Sequence, residues 1–412
     1  MSSAEAPSLP DATVPPHVPP SLVHDIRHYT VSNTLDDPFS LTANVFDELP
    51  PVVFSPHGTP GLYSGTWVVS RYDDVREVYQ NDRLYSTKGA ADFVSLVGET
   101  FRMIPLAIDP PEHATYRLLL NSWFSPKSIN TMEPAIRATI NGLIDTFVDN
   151  GACDASFDYG RIYPVRVFLD LMGFPQEMMD EFLQWEYAIL HSYGDVAKML
   201  WGIGSAIKYL RGYMERVKAE PDDKLGSHIV HGEVDGRPMN DDEIIGTLVF
   251  LWLGGLDTVA ATTSLAMRHL ALDHDLQQTL RDHPEKLGDA VEEFLRMQPL
   301  VNSTRLVKED HEIRGVLIKK GDHVMCFNSA GNFDPEEFED PRTFRLDRAS
   351  NRHFTLAGGP HRCLGSHLAR RELKIALEEF LRRIPMFSLE PGVDRTAYPG
   401  LLAVPNLPIV WA

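Results

Sequence analysis

One stretch, Leu356-Ala-Gly-Gly-Pro-His-Arg-Cys-Leu-Gly-Ser-His-Leu-Ala-Arg-Arg-Glu372, constrains this chain more than any other. It sets Cys363 in a glycine-rich turn ahead of apolar residues at helical spacing (Leu368, Leu373, Leu377, Phe380), which predicts a helix from Ser366 to about Arg382. Gly358, Gly359 and Gly365 lack a Cβ, so the backbone there can turn tightly and lie close to a flat ligand. A cysteine just before a helix meets free backbone N–H groups and the positive end of the helix dipole, and both favour a thiolate. A merely structural buried cysteine needs neither the glycines nor the neighbouring cations. A fold that keeps both must close a cradle around this sulfur.

A thiolate in a glycine-lined cradle is an arrangement that ligates haem iron. The segment resembles the haem-binding signature of the cytochrome P450 superfamily, FxxGxxxCxG, through Gly359, Cys363 and Gly365. Leu356 stands where the family has phenylalanine, which keeps apolar bulk beside the sulfur and loses the aromatic face. The resemblance implies the cytochrome P450 fold, haem b (iron protoporphyrin IX) as cofactor, Cys363 as the metal ligand and Gly365 as part of the cradle.

Composition narrows the rest. The chain has 412 residues, 43% of them apolar, which is ample for a sizeable core. Cys153, Cys326 and Cys363 lie far apart, which argues against a disulfide framework and for a reducing cytoplasm. A net charge of −20 argues against nucleic-acid binding. Residues 1–20 are rich in Pro and Ser and read as a flexible N-terminal arm before a single unit over 21–412. The apolar run Ile244 to Leu256 is too short to span a bilayer and meets Asp257, so a soluble protein without membrane attachment is expected.

The pattern is helical through most of 128–290, with breaks near Gly151, Gly173, Pro221 and 232–238. Thr66–Arg71 reads as a strand leading into a helix over Tyr72–Gln80, and short strands are expected between Glu312 and Phe327. The fold class is mainly α with a small β part.

A second element, Gly254-Gly-Leu-Asp-Thr258, lies inside a helix predicted from Asp241 to about Leu272. Each mid-helix glycine costs roughly 1 kcal/mol against alanine, so the pair serves either close packing or a local opening around a ligand. A carboxylate in so apolar a helix needs a partner or a chemical role. The resemblance implies such a role, in which an acid–threonine pair delivers protons during oxygen activation. Asp257 would relay them from solvent, and Thr258 would hold a water.

Glu293-Phe-Leu-Arg296 puts an acid and a base on one helical face. Glu379-Phe-Leu-Arg382 has the same spacing and reads as a solvated surface pair. The resemblance assigns the first pair to the family's ExxR motif, joined by Arg348 in a buried network that holds the cysteine side of the site. It also implies His113, Arg117, Arg305 and His361 as partners of the haem propionates.

From near Pro15 to Trp411 the chain is similar to the soluble bacterial class of camphor 5-monooxygenase and its relatives, through Gly254–Val259, Lys319–Asp322, His367–Glu372 and Leu407–Trp411. That similarity implies electrons from a 2Fe–2S ferredoxin and an NADH-dependent ferredoxin reductase. The ferredoxin would dock on a basic patch of Arg117, Arg362, Arg370, Arg371 and Lys374, although Ala114 stands where one relative has an arginine contact. Phe101 replaces the tyrosine whose hydroxyl holds camphor's ketone. Phe101, Met103, Leu106, Phe250, Leu253, Val301, Leu401 and Leu402 would then line an apolar substrate pocket. The expectation is a monomeric, cytoplasmic haem-thiolate monooxygenase that hydroxylates a small apolar molecule, a terpenoid or norisoprenoid. A peroxide-driven or isomerising enzyme and a non-catalytic haem-based sensor are the rivals. The acid–threonine pair argues against the first, and a sensor needs neither that pair nor the cations facing a ferredoxin.

Overall fold

The computed structural model describes residues 14–26, 47–57, 65–89, 92–190, 195–393, 404 and 406–412. Its helices in chain order are α1 (Tyr72–Gln80), α2 (Glu112–Asn121), α3 (Pro126–Ile144), α4 (Ile162–Met172), α5 (Met179–Leu190), α6 (Val196–Ala219), α7 (Leu225–Val230) and α8 (Asp241–Leu272). They continue with α9 (His274–Asp282), α10 (Leu287–Met297), α11 (Asn328–Gly331) and α12 (Ser366–Arg383). The architecture is mainly helical with a smaller β part, as expected.

α8 is the axis of the helical core. Asn240 caps it by accepting from the Glu243 N–H, and Glu243 reaches back to the Asn240 N–H, which satisfies two orphan donors at once. Asp241, Asp242 and Glu243 also place negative charge at the positive end of the helix dipole. By length and composition α8 could cross a membrane, but 67% of its most apolar window is buried inside the fold, which marks it as a core helix. α4, α6 and α12 pack around it. α12 ends on Arg382 and Arg383, cations that suit a helix C-terminus.

The main sheet is β1 (Val52–Ser55), β2 (Thr66–Val69), β3 (Tyr85–Ser86), β7 (Ser303–Val307) and β10 (His323–Cys326), ordered β1-β2-β10-β7-β3. β10 runs parallel to β2, and the other pairs are antiparallel. Three small sheets complete the β part: β4 (Ala152–Asp154) with β11 (Phe387–Leu389) and β12 (Pro408–Trp411), β5 (Glu233–Val234) with β6 (Arg237–Pro238), and β8 (His311–Ile313) with β9 (Val316–Ile318).

Two expectations need correction. Within the arm expected over 1–20, the described residues 14–20 are anchored to the fold at two points, His17 and Val18, while Val14, Pro16, Pro19 and Pro20 are exposed. Val18 is buried, and His17 Nε2 lies 2.8 Å from Asp322 Oδ2, an atom that also accepts from Trp67 Nε1 at 2.9 Å. The Pro-rich composition suits this packing because proline limits the entropy lost on ordering. The Glu379–Arg382 pair is not a solvated one either. Glu379 is buried and also binds Arg137 of α3, so the pair ties two helices together.

Candidate active site

Cys363 lies just before α12. Its backbone N–H donates to the Leu356 carbonyl at 2.9 Å, and its own carbonyl accepts from the Ser366 N–H at 3.4 Å. The glycines around it serve different ends. Gly359 has φ +64°, and a Cβ there would lie 2.1 Å from the Tyr79 carbonyl, so this glycine turns the loop and lets it lie on α1. Gly365 has nothing within 4 Å of where a Cβ would stand, so only it matches the open approach expected of the cradle.

The expected stabilisation of the thiolate is not met by the protein alone. Burial pushes the Cys363 thiol up, against the Gly365 N–H and the charges of Arg117, Arg370 and Arg362, which pull it down. Desolvation of an anion here outweighs one N–H group and partly screened cations. Coordination to a metal ion is what removes the proton in such a site.

Behind the cysteine, the network expected of Glu293, Arg296 and Arg348 is complete. Arg296 donates Nε to Glu293 Oε2 at 2.9 Å and Nη2 to Oε1 at 2.7 Å, and both side chains are fully buried. Arg348 Nε reaches both carboxylate oxygens, at 2.9 and 3.1 Å. Asn351 Nδ2 and the Arg345 N–H add donors to the same carboxylate. Arg296 Nη1 also binds the Asn332 and Pro341 carbonyls, which fastens the irregular stretch before the cysteine. Burial alone would push Glu293 up, but the hydrogen bonds and charges of the two arginines hold it below the ordinary carboxylate value.

His113, Arg117 and His361 converge beside the cysteine loop, and Arg305 joins them from β7. The His113 and His361 rings are 4.1 Å apart, and Arg117 Nη1 donates to the Arg362 carbonyl at 2.9 Å. Arg305 is buried with its guanidinium 5.2 Å from the Tyr79 ring centre. Burial and then Arg117 pull His113 down to about 4. Burial, then His113 and Arg305, pull His361 to about 3. His113 Nε2 is buried without a hydrogen-bond partner, an unmet donor or acceptor that a carboxylate ligand would satisfy. Two guanidiniums and the neutral His361 imidazole, gathered beside the orphaned His113 ring, fit the propionate edge of a haem.

α8 runs unbroken from Asp241 to Leu272, so the local opening anticipated at its glycine pair does not occur. The pair divides instead. A Cβ on Gly255 would lie 2.5 Å from the Phe168 ring, so that position serves close packing against α4. Gly254 is exposed in the middle of a core helix, with nothing within 4 Å of a built Cβ. Phe250, Leu253, Asp257 and Thr258 are half-buried around it. Thr258 donates its hydroxyl to the Gly254 carbonyl at 3.1 Å. The Asp257 charge acts on Glu186 of α5, a residue that carried no signal in the sequence beyond being an acid on an amphipathic helix.

The expected pocket residues scatter more widely. Phe101 and Met103 are buried, and Leu106 is half-buried. Phe101 sits where a Cβ on Gly246 would come within 3.5 Å of its ring, about two turns of α8 before Gly254. The Arg211 guanidinium lies 5.9 Å from its ring centre. Val301 is 42% exposed. Leu401 and Leu402 lie outside the described residues. The basic patch is partly neutralised: Arg370 pairs with Glu292, and Arg371 pairs with Glu133 and bonds Asn130. These groups border a cleft of about 240 Å³ that also takes in His367 and Lys374.

A half-buried cysteine in a glycine-rich turn, a cluster that fits haem propionates and an open stretch of the central helix point to a haem-thiolate protein. The chain matches the family Cytochrome P450 over residues 205–410. It is 34% identical over 405 residues to a probable cytochrome P450 127A1 of Sinorhizobium fredii, covering 97% of each chain. Among solved structures it resembles cytochrome P450 CYP101C1, with a TM-score of 0.84, 31% identity and coverage of 97% of this chain and 100% of the other. CYP101J2 follows at a TM-score of 0.83 and 30% identity, with 97% and 99% covered. This chain belongs to the cytochrome P450 family of monooxygenases, which bind haem b through a cysteine thiolate.

Proposed function

We propose that the protein is a soluble, monomeric, cytoplasmic monooxygenase that hydroxylates a small apolar molecule, a terpenoid or norisoprenoid. Its electrons come from a 2Fe–2S ferredoxin and an NADH-dependent reductase. Cys363 holds the iron, and His113, Arg117, Arg305 and His361 hold the propionates. Bound haem supplies activation of dioxygen at the thiolate-ligated iron and transfer of one oxygen atom into a C–H bond.

The observation that carries this reading is the open stretch of α8 around Gly254, inside a helix otherwise buried. The Thr258 hydroxyl hydrogen is committed to the Gly254 carbonyl, so its oxygen is left as an acceptor that can hold a water. Half-buried Asp257 can exchange protons with solvent and pass them toward that water. Apolar side chains from the 101–106 segment and from α8 join one core cluster, which supports a substrate held by contact area rather than by hydrogen bonds. The cations near His367 and Lys374 support docking of an acidic partner despite the net charge of −20.

The test is product formed per NADH consumed with ferredoxin and reductase added, after a terpenoid screen read from the haem spin shift. Thr258→Ala should keep NADH oxidation fast while diverting electrons into hydrogen peroxide, and Asp257→Asn should slow turnover by about 10²-fold or more. Unchanged product yield in Thr258→Ala overturns the assignment. Turnover that needs only added peroxide points to the peroxide-driven rival.

A further inference from the structure

Glu186 on α5 is a buried acid for which the oxygen chemistry described above has no use. It is 2% exposed, and its Oε1 has no hydrogen-bond partner. Its carboxyl group lies near enough to Asp257, across the α5–α8 interface, for the charge of one to act on the other. Packing fixes this approach: one turn earlier on α5, Phe182 meets Trp252 of α8 edge-on, with ring centroids 6.0 Å apart.

Two ionised carboxylates are acceptors only, so these two groups can hydrogen-bond only if one of them carries a proton. Two like charges this close and this dry do not both ionise. The groups that act on Glu186 decide where the proton sits. Burial and then the Asp257 charge push Glu186 well above the ordinary carboxylate value, and Arg161 at the start of α4 opposes them more weakly. Asp257 is the more exposed member and keeps its access to water.

We propose that Glu186 is a positioning residue for proton delivery: it stays protonated, donates its O–H to Asp257, and so holds one proton in a carboxyl pair beside Thr258. The proposal rests on the reading of Asp257 and Thr258 as the proton path. Asp257 passes the Glu186 proton on only as solvent delivers another to the pair, so one O–H bond breaks as another forms and the pair carries one proton throughout.

Infrared difference spectroscopy in H2O and D2O tests it directly, using haem-loaded protein at neutral pH with glutamate side chains labelled at the carboxyl carbon. Wild type should show the label- and deuterium-sensitive C=O stretch of a protonated glutamate at Glu186. Glu372 on α12, also buried and also pushed well up, should add a second band that serves as an internal control. Glu186→Gln should remove the first band only, lower product formation about tenfold, and enlarge the solvent isotope effect. Glu186→Asp should restore part of both the band and the rate. Loss of no band in Glu186→Gln, or a wild type with only the control band, overturns the proposal without any need for the variant to turn over. The two readings fail separately. If Asp257→Asn leaves turnover unchanged while the Glu186 band behaves as expected, the proton path falls and delivery through the pair falls with it. If Asp257→Asn slows turnover but Glu186 shows no band, only the carboxyl pair falls.

Discussion

Two acids flank the site, and the fold treats them in opposite ways. Glu293, on the cysteine side, is fully buried and receives donors from Arg296, Arg348, Asn351 and the Arg345 backbone. Glu186, facing α8, is nearly as buried, yet the charge that acts on it most strongly is another acid's, and its Oε1 has no hydrogen-bond partner among the described residues. A charge removed from water is tolerable when every lone pair is met, and a carboxyl that cannot be met in this way keeps its proton instead. The first arrangement fixes geometry. The second stores something that can move. A P450 needs both, because the sulfur must stay still while protons arrive.

The largest expected effect removes the group that the still side exists to hold. Cys363→His should retain some haem and lose the red-shifted carbon monoxide spectrum of a thiolate-ligated ferrous haem, together with monooxygenase turnover. A wild type that lacks this spectrum on reduction would sink the assignment of Cys363.

Next comes the contrast between the acids. Glu293→Gln leaves the Arg296 and Arg348 guanidiniums facing a neutral amide in a dry site, and should cost about 3–5 kcal/mol in denaturant unfolding along with much of the haem content. Glu186→Gln replaces an already uncharged group by one of the same shape, and should cost about 1 kcal/mol or less. Equal losses in the two would mean that Glu186 is ionised and that the contrast is false.

A smaller effect follows from the cluster proposed to hold the propionates. His113 has its folded pKa pulled to about 4, below the value near 6.5 of an unfolded histidine. The stability this contributes is fully present above pH 6.5 and is lost as pH falls toward 4, because the unfolded chain takes up the proton first. The shift corresponds to about 3 kcal/mol for the haem-free protein. His113→Gln should flatten its stability profile between pH 6.5 and 4, as read from urea midpoints. A profile unchanged by the substitution would show that His113 does not sit in a desolvated site.

What could be read from the sequence was what lies close together along the chain. Cys363 with its glycines, the Glu293–Arg296 spacing and the bounds of α1, α8 and α12 depend on local patterns of turn residues, caps and helical period. Arg348 was reachable only through the family resemblance, which joins it to Glu293 and Arg296. Glu186 was not reachable, since its meaning depends on α5 crossing α8, and a lone acid on an amphipathic helix looks like any solvated one. The same limit hid the parallel pairing of β10 with β2, which joins segments far apart in the chain. It also hid the packing of Val18, because composition reports the cost of ordering a Pro-rich stretch but not the Trp67–Asp322 site that receives its neighbour His17. The glycine pair shows the limit most closely. Close packing and an open face were alternatives for one motif, and the structure gives one to each residue.

That division supports the smallest and most discriminating test, because both substitutions change a single methyl group in adjacent positions of one helix. Gly255→Ala pushes a Cβ to within 2.5 Å of the Phe168 ring, so α4 and α8 must separate or Phe168 must leave its rotamer. Overpacking of this kind costs about 1–3 kcal/mol. Gly254→Ala meets nothing within 4 Å and gains helix propensity, so the haem-free protein should become more stable by up to about 1 kcal/mol. With haem and substrate present, the same methyl group occupies space on the open face, and the spin-state titration should show weaker substrate binding although the fold is more stable. Thermal unfolding of the two haem-free variants side by side is the measurement. If both lose stability alike, the open face of α8 is filled by protein, and the motif is packing throughout.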